Sequence, residues 1–354
     1  MTTCGPGTPG SAKNDVEFFY DIFSFKEKVP MIFTNIEFWI FFAVVLAIFS
    51  VIHPQRTLRN AFLFLVSIFF YWKTGGVFFV LLLFSTLSDY GIGFAIHHSQ
   101  KKLWRTFFLV LSIVINLLVL GYFKYSYFFA EVWQQHFDPE FEYYHHFNAA
   151  VNQVTGSKLS VDNLVPPVGS SFFTFQTISY AGDVYRRKIE PVRNILDFGF
   201  YVSFFPQLVA GPIVRAAEFI PQIYQPFRLT QREVGISIWW ILKGLVKKLF
   251  IADYIGVNFV DRVFAEPAAY TGFENVMGLY GYSLQVHCDF SGYPDVAIGI
   301  ALLMGFRLPI NFNSPYKASS VGEFWRRRHI SLSTWLKDYL YIQLGGSRSE
   351  SFLT

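Results

Sequence analysis

Four predominantly apolar runs, 34–52, 61–72, 77–96 and 107–123, follow one another with only short polar breaks between them. Nothing else in the chain constrains its fold as strongly. Inside a bilayer every backbone N–H and C=O needs a partner within the protein, which makes a helix of roughly 20 residues the natural form of such a run. The run 61–72 has only 12 residues, so it has to tilt, use Lys73 as a snorkelling flank, or stop short of a full crossing. Composition agrees. The chain is 53% hydrophobic and 20% aromatic, with 43 Phe and only 15% charged residues, where soluble domains carry about 25% charged residues. The predicted class is an all-α polytopic membrane protein. The net charge of +4 needs no nucleic acid as partner, because Lys and Arg collect in the cytoplasmic loops of such proteins. Cys4 and Cys288 give no CxxC, no zinc spacing and no disulfide framework.

Residues 1–33 read as an N-terminal region and 34–354 as a single transmembrane domain. Residues 1–15, rich in Gly, Pro, Ser and Thr, have the composition of a disordered tail. The segment 16–28 aligns Val16, Phe19, Tyr20 and Phe23 on one helical face, which suits an interfacial helix or a plain linker. Loops 53–60 and 97–106 hold two and three Lys/Arg, against one in the turn 73–76. The positive-inside rule then puts the richer loops in the cytoplasm, with the N-terminus and the acidic segment 124–164 outside.

Two later stretches interrupt apolar sequence with helix breakers. Val165-Pro166-Pro167-Val168-Gly169-Ser170, running on to Gln176, and Phe205-Pro206-Gln207 through Gly211-Pro212-Ile213 predict broken or re-entrant helices, a backbone tolerated at membrane depth only in a protein interior or beside a wet cavity. Ser170, Gln176 and Gln207 are candidates to line such a passage. Further spans are expected near 236–258 and 276–304; Lys243, Lys247 and Lys248 cluster on one side of the first and suggest a cytoplasmic interface. The second carries His287, Asp289, Ser291 and Asp295. Ionisable groups there are expensive, and Asp289 and Asp295 are therefore functional candidates. They are not a hydrolytic triad, since residues two apart on a helix do not face each other. A polar joint between helices is favoured over a metal site, and no metal is expected.

Taken as one helix after Pro315, the segment aligns Trp325, His329, Leu332, Leu336 and Tyr339 on an apolar stripe, with Arg327, Ser331, Thr334 and Asp338 opposite. Gly345-Gly346 supplies the helix stop. Arg326, Arg327 and Arg328 directly precede His329; positive charge nearby disfavours imidazolium and keeps the ring in its proton-accepting form. The competing interpretations are a hydrogen-bonded core histidine and an interfacial arginine anchor.

These pieces resemble the membrane-bound O-acyltransferase (MBOAT) family, in the bacterial branch typified by alginate O-acetyltransferase and the teichoic-acid D-alanyl transfer protein. The resemblance is carried by Asp289-Phe290-Ser291-Gly292-Tyr293-Pro294-Asp295, Gly305-Phe306-Arg307, Asn311-Phe312-Asn313 with Pro315-Tyr316, Glu323 through Ser333, and Trp335 through Gly346. Upstream, Ser179-Tyr180 with Asp183, Tyr185 and Arg186, and Phe205 through Ile213, fit the same branch. The resemblance implies many transmembrane helices around a central tunnel in a bacterial inner membrane. It implies an acyl donor, acetyl-CoA or an acyl-carrier thioester, engaged from the cytoplasmic side without a bound cofactor, and a polysaccharide hydroxyl as acceptor. It makes the lipid bilayer, the polysaccharide, and a carrier protein or periplasmic acyltransferase the expected partners.

His329 matches the first of two histidines linked to activity in that branch, and is the candidate catalytic residue, as base or as orienter of the second histidine. Arg328 departs from the aromatic residue common at its position. Asn311 and Asn313 are candidates to hydrogen-bond the acyl carbonyl, or simply turn formers before Pro315; Trp325, Arg326 and Arg327 are candidates to meet the donor. The family's second histidine, in a Leu-Trp-His-Gly-type helix, has no counterpart, as no Trp-His pair occurs up to Thr354, and the chain is expected to be a fragment. The alternatives are D-alanyl or other acyl transfer to a teichoic-acid or peptidoglycan acceptor, and, from another class, a transporter or a non-catalytic partner of a polysaccharide export complex.

Overall fold

The computed structural model describes residues 31–139, 141–155, 161, 167–209 and 211–346. The tail 1–15, the segment 16–28 and Cys4 lie outside the described residues. Those described are all-α, with no strand among them.

Among the described residues two helical stretches, Arg56–His98 and Lys102–His136, are long and apolar enough to cross a membrane, and Ile36–Ile52 is a shorter apolar helix. The short apolar run 61–72 does not set the length of its helix, which spans Arg56–Gly75 over 20 residues. Its polar N-terminal turn is accommodated because Arg59 and Asn60 are buried against protein: Arg59 donates to the carbonyls of Ile223 and Gln225, and the Asn60 carboxamide donates to Asp197 at 2.8 Å. Lys73 does not snorkel. It is buried, its ammonium 5.5 Å from the centre of the Trp72 ring. The chain then turns at Gly76, whose φ of 59° suits glycine, into the helix Phe79–His98.

Phenylalanine fills the interior. Phe38, Phe41, Phe70 and Phe205 pack ring against ring, as do Phe200, Phe204, Phe219 and Phe306. One buried polar cluster runs through this interior. Asp89 accepts from Ser112 and from Asn116 (2.7 Å), whose own carboxamide oxygen accepts from Thr177 at 3.0 Å. It joins the helices Phe79–His98, Lys102–Leu120 and Ser170–Tyr185.

The breaks foreseen at 165–176 and 205–213 are partly present. Ser170–Tyr185 is one regular helix, entered through Gly169 at φ 72°, so the interruption lies before Ser170; residues 162–166 are outside the described set. The second break is as expected. Helix Ile195–Ser203 stops, the four-residue helix Phe205–Leu208 follows, and the chain runs non-helically to Arg215 around the undescribed position 210.

The helices Gln231–Leu245 and Gly272–Leu303 pack against each other at close range. Each begins with a capping box, Thr230 with Glu233 and Thr271 with Glu274. At their crossing a Cβ on Gly244 would sit 2.6 Å from both the Gly292 carbonyl oxygen and Val296. Gly244→Ala is therefore expected to lower the thermal midpoint of the detergent-solubilised protein, since overpacking costs about 1–3 kcal/mol. Gly235→Ala, where a Cβ meets open space, should hold or raise it; equal midpoints for the two variants would contradict this packing.

Candidate functional site around His329

The stretch after Pro315 is not one helix. Val321–Arg327 and Ile330–Leu336 are separate seven-residue helices. Between them Arg328 is extended (φ −107°, ψ 134°) and His329 is left-handed (φ 47°, ψ 50°). The cause is competition for backbone groups. The segment 311–313 runs alongside and takes the bonds that a continuous helix would use: Asn313 N–H donates to Arg327 O at 2.9 Å, and Ile330 N–H donates to Asn311 O at 3.0 Å. The Asn311 side-chain oxygen caps the second helix, accepting from Ser331 N–H (3.1 Å) and Ser331 Oγ (2.9 Å). Ser331 Oγ in turn accepts from Ile213 N–H at 3.1 Å, tying the break at 209–215 to the same turn.

The predicted stripe is accordingly lost. Trp325 is 56% exposed and Leu336 is exposed, whereas Ser331, assigned to the opposite stripe, is buried. Glycine does end the segment as expected, Gly345 and Gly346 both having positive φ.

The His329 ring sits edge-on between Phe290 and Phe312, at 5.7 and 4.7 Å between centres. Neither ring nitrogen has a hydrogen-bond partner among the described residues, which leaves its lone pair uncommitted. Burial, and then the Arg328 charge, lower the pKa of His329 below its usual 6.5. This supports the expected neutral ring, although of the three arginines Arg328 is the one whose charge acts; Arg327 is paired with Glu323 at 2.6 Å. On the other side of Phe312 lies a cavity of about 400 Å³, lined by Lys243, Lys247, His287, Phe312, Asn313 and Ile330 among others.

The histidine on the cavity wall is therefore His287, with His329 one ring behind it. His287 was visible in the sequence only as an ionisable residue of a span. Its position opposite Phe312 (5.8 Å) and Tyr316 (5.2 Å) depends on how the 311–316 loop folds back.

The remaining candidates divide by location. Asn313 lines the cavity, and Asn311 is committed to the turn. Arg326 and Trp325 are exposed. Ser170, Gln176 and Gln207 are buried elsewhere, in the aromatic interior. Gln207 Nε2 donates to Tyr201 O at 2.8 Å, and Tyr201 OH donates to Gln176 O at 3.4 Å. Asp289 and Asp295 form the expected polar joint. Lys247 and Lys243 reach Asp295 at 2.6 and 3.2 Å, and Lys248 bridges Asp289 (2.6 Å) and Asp253 (2.7 Å). The three lysines thus point into a helix pair rather than towards an outer interface.

The family model for the membrane-bound O-acyltransferases matches residues 103–354. The "Probable alginate O-acetylase" of Pseudomonas aeruginosa is 37% identical over 331 residues, 92% of this chain and 59% of that protein. The peptidoglycan O-acetyltransferase of Helicobacter pylori is 35% identical over 321 residues, 82% of this chain and 56% of its own. The teichoic acid D-alanyltransferase of Bacillus subtilis is 31% identical over 190 residues, 51% of this chain and 46% of that one. The chain thus spans about three fifths of the length of the curated relatives that it matches along most of its own length.

The geometry separates the two asparagines. Asn311→Ala strands the buried Ser331 N–H and should cost about 1–3 kcal/mol of stability, read as a lower thermal midpoint. Asn313→Ala, which leaves its backbone bond to Arg327 in place, should stay within about 0.5 kcal/mol of wild type. A midpoint for Asn311→Ala equal to that of Asn313→Ala would remove the clamp from the account.

Proposed function

The chain belongs to the membrane-bound O-acyltransferase family, and on that premise we propose that it moves an acyl group, acetyl first among them, from a thioester donor on the cytoplasmic side to hydroxyls of a cell-surface or exported polysaccharide. The observation that carries the reading is the reach of the similarity: likeness to proteins named for alginate and peptidoglycan O-acetylation extends over most of the chain, while likeness to D-alanyltransferases covers about half. That difference favours acetyl over D-alanyl. We place the protein in a bacterial cytoplasmic membrane as a multi-pass protein, with 53–60 and 97–106 inside.

In this reading the Phe312 ring between His329 and the cavity turns aside when substrate binds, and neutral His329 takes the acceptor's hydroxyl proton as the hydroxyl oxygen bonds to the acyl carbon and the thiolate departs. General-base help of this kind contributes about 10²–10⁴ in rate. The left-handed turn, an expensive conformation for a side-chain-bearing residue, holds the imidazole in place against Phe312. Asn313 and His287 on the cavity wall are positioned to orient the acyl group, with acetyl-CoA or an acyl-carrier thioester as donor and no resident cofactor. Exposed Arg326 and Trp325 offer contacts for a carrier protein or for an acyltransferase partner beyond the membrane.

The test is the O-acetyl content of surface polysaccharide in cells carrying the wild-type gene, a deletion, His329→Ala or His287→Ala, at matched protein levels. We expect His329→Ala to match the deletion. Full acetylation in that variant would make His329 a packing residue, and an unchanged deletion strain would move transport or another acyl group to the front.

A pH profile in membranes adds a second check. With its pKa lowered, His329 stays neutral on going down through pH 6.5, so activity should fall only at lower pH. Arg328→Gln removes one of the two causes and should move that acid limb to higher pH; a limb that does not move would detach Arg328 from the base.

A further inference from the structure

A second pocket, of about 430 Å³, lies well away from His329 in sequence, where the C-terminus of helix Phe79–His98, the start of helix Lys102–Leu120 and the turn after helix Ser170–Tyr185 meet. Arg105, Arg187 and Lys188 line it, with Ile96 and Ile189 as apolar wall and Glu190 as the one carboxylate. Lys101 and Lys102, just before Arg105 in the chain, are exposed. Arg105 is held by the Tyr185 carbonyl and lies over the Tyr185 ring at 5.1 Å. Among the described residues Lys188 has one ion-pair contact, a long one with Asp183 at 3.8 Å. Among the described residues no carboxylate pairs with Arg187.

The backbone adds an independent sign. Helix Ser170–Tyr185 ends with Arg187 N–H on Val184 O (3.0 Å) and Lys188 N–H on Asp183 O (2.9 Å), the two bonds of a Schellman ending. The residue at its left-handed position is ordinarily glycine. Here it is Arg187, at φ 58°, which costs roughly 1–2 kcal/mol. A guanidinium is kept at the pocket where the backbone alone would prefer no side chain.

We propose that this pocket binds the phosphate of an anionic phospholipid headgroup. A phosphate matches the excess of guanidinium and ammonium groups, and basic pockets between membrane helices are suited to lipid headgroups. The neighbouring surface favours a lipid over a soluble phosphate. Leu103, Trp104 and Phe107, on the same first turns as Arg105, are exposed, and the apolar stretch of that helix is only 22% buried. Acyl chains lie along this face while Trp104 sits at headgroup level, where tryptophan is favoured.

The test uses the purified full chain in neutral detergent. Thermal midpoints are measured with added phosphatidylglycerol, phosphatidylcholine or inorganic phosphate, for wild type and Arg187→Gln/Lys188→Gln. Both substituted side chains are exposed, so the variant should fold, and its midpoint without lipid confirms this. Phosphatidylglycerol is expected to raise the wild-type midpoint at concentrations where phosphatidylcholine does not. The double variant should need roughly thirtyfold more phosphatidylglycerol for the same rise, since each of the two basic residues near an anionic surface contributes about 1 kcal/mol. Arg228→Gln, at an exposed cation outside this pocket, should behave as wild type. Equal responses of wild type and double variant would overturn the site, and an equal response to inorganic phosphate would overturn the lipid as its source.

Discussion

Two backbone hydrogen bonds, Asn313 N–H to Arg327 O and Ile330 N–H to Asn311 O, decide the shape of the catalytic candidate. They withdraw groups that helix propagation between 321 and 336 would need, and the chain answers by placing His329 in the left-handed region. Once that turn exists, the imidazole cannot share a stripe with Trp325 and faces Phe290 and Phe312 instead. The Asn311 side chain and Ser331 then connect the turn to the broken segment at Ile213. Trp335 Nε1–H on Phe175 O and Tyr339 OH on Asp183 dock the following segment onto helix Ser170–Tyr185. The turn at His329 is thus fixed by contacts from three separate parts of the chain.

The opposite wall depends on a different interaction. Helices Gln231–Leu245 and Gly272–Leu303 approach closely at Gly244 and Gly292. Next to that contact, Lys243 and Lys247 pair with Asp295 and Lys248 pairs with Asp289 across the joint. Asp295 is buried, so losing its lysines would leave an uncompensated charge that costs far more than the pair itself contributes, and this pairing holds the helices in one register. The joint places Lys243, Lys247 and His287 on the cavity. A wall built from balanced charges keeps a polar space open in an otherwise phenylalanine-filled protein.

Local sequence patterns explain much of this, and their failures share one cause. The apolar runs, the break around Pro206 and Gly211, the glycine stop at Gly345 and the polar joint at Asp289 and Asp295 all follow from groups acting on near neighbours or on a uniform apolar surrounding. The uninterrupted helix through His329 was wrong because its competitor, the segment 311–313, pairs with residues 14 to 19 positions further on. His287 and Asp89 carried a signal, being ionisable groups in apolar runs, but which of them meets a cavity and which a hydrogen-bond cluster is decided by packing. Gln176 and Gln207, expected along a passage, are buried beside Tyr201, which Gln207 meets with its side chain and Gln176 with its main-chain carbonyl.

By itself the sequence determined the class of the protein and its relationship. Long apolar runs with few charges have one low-cost form in a bilayer, and the motif run from Asp289 to Gly346 is specific enough to identify the O-acyltransferase family. It also singled out His329. Only the tertiary structure decided how that histidine is held, that His287 shares its surroundings, that the lysines turn inward, and that Arg105, Arg187 and Lys188 gather at one pocket. The physical reason is range. Hydropathy and glycine or proline chemistry act within a few residues, whereas competition for a backbone hydrogen bond and the partner of a buried charge depend on which distant segments the fold brings together.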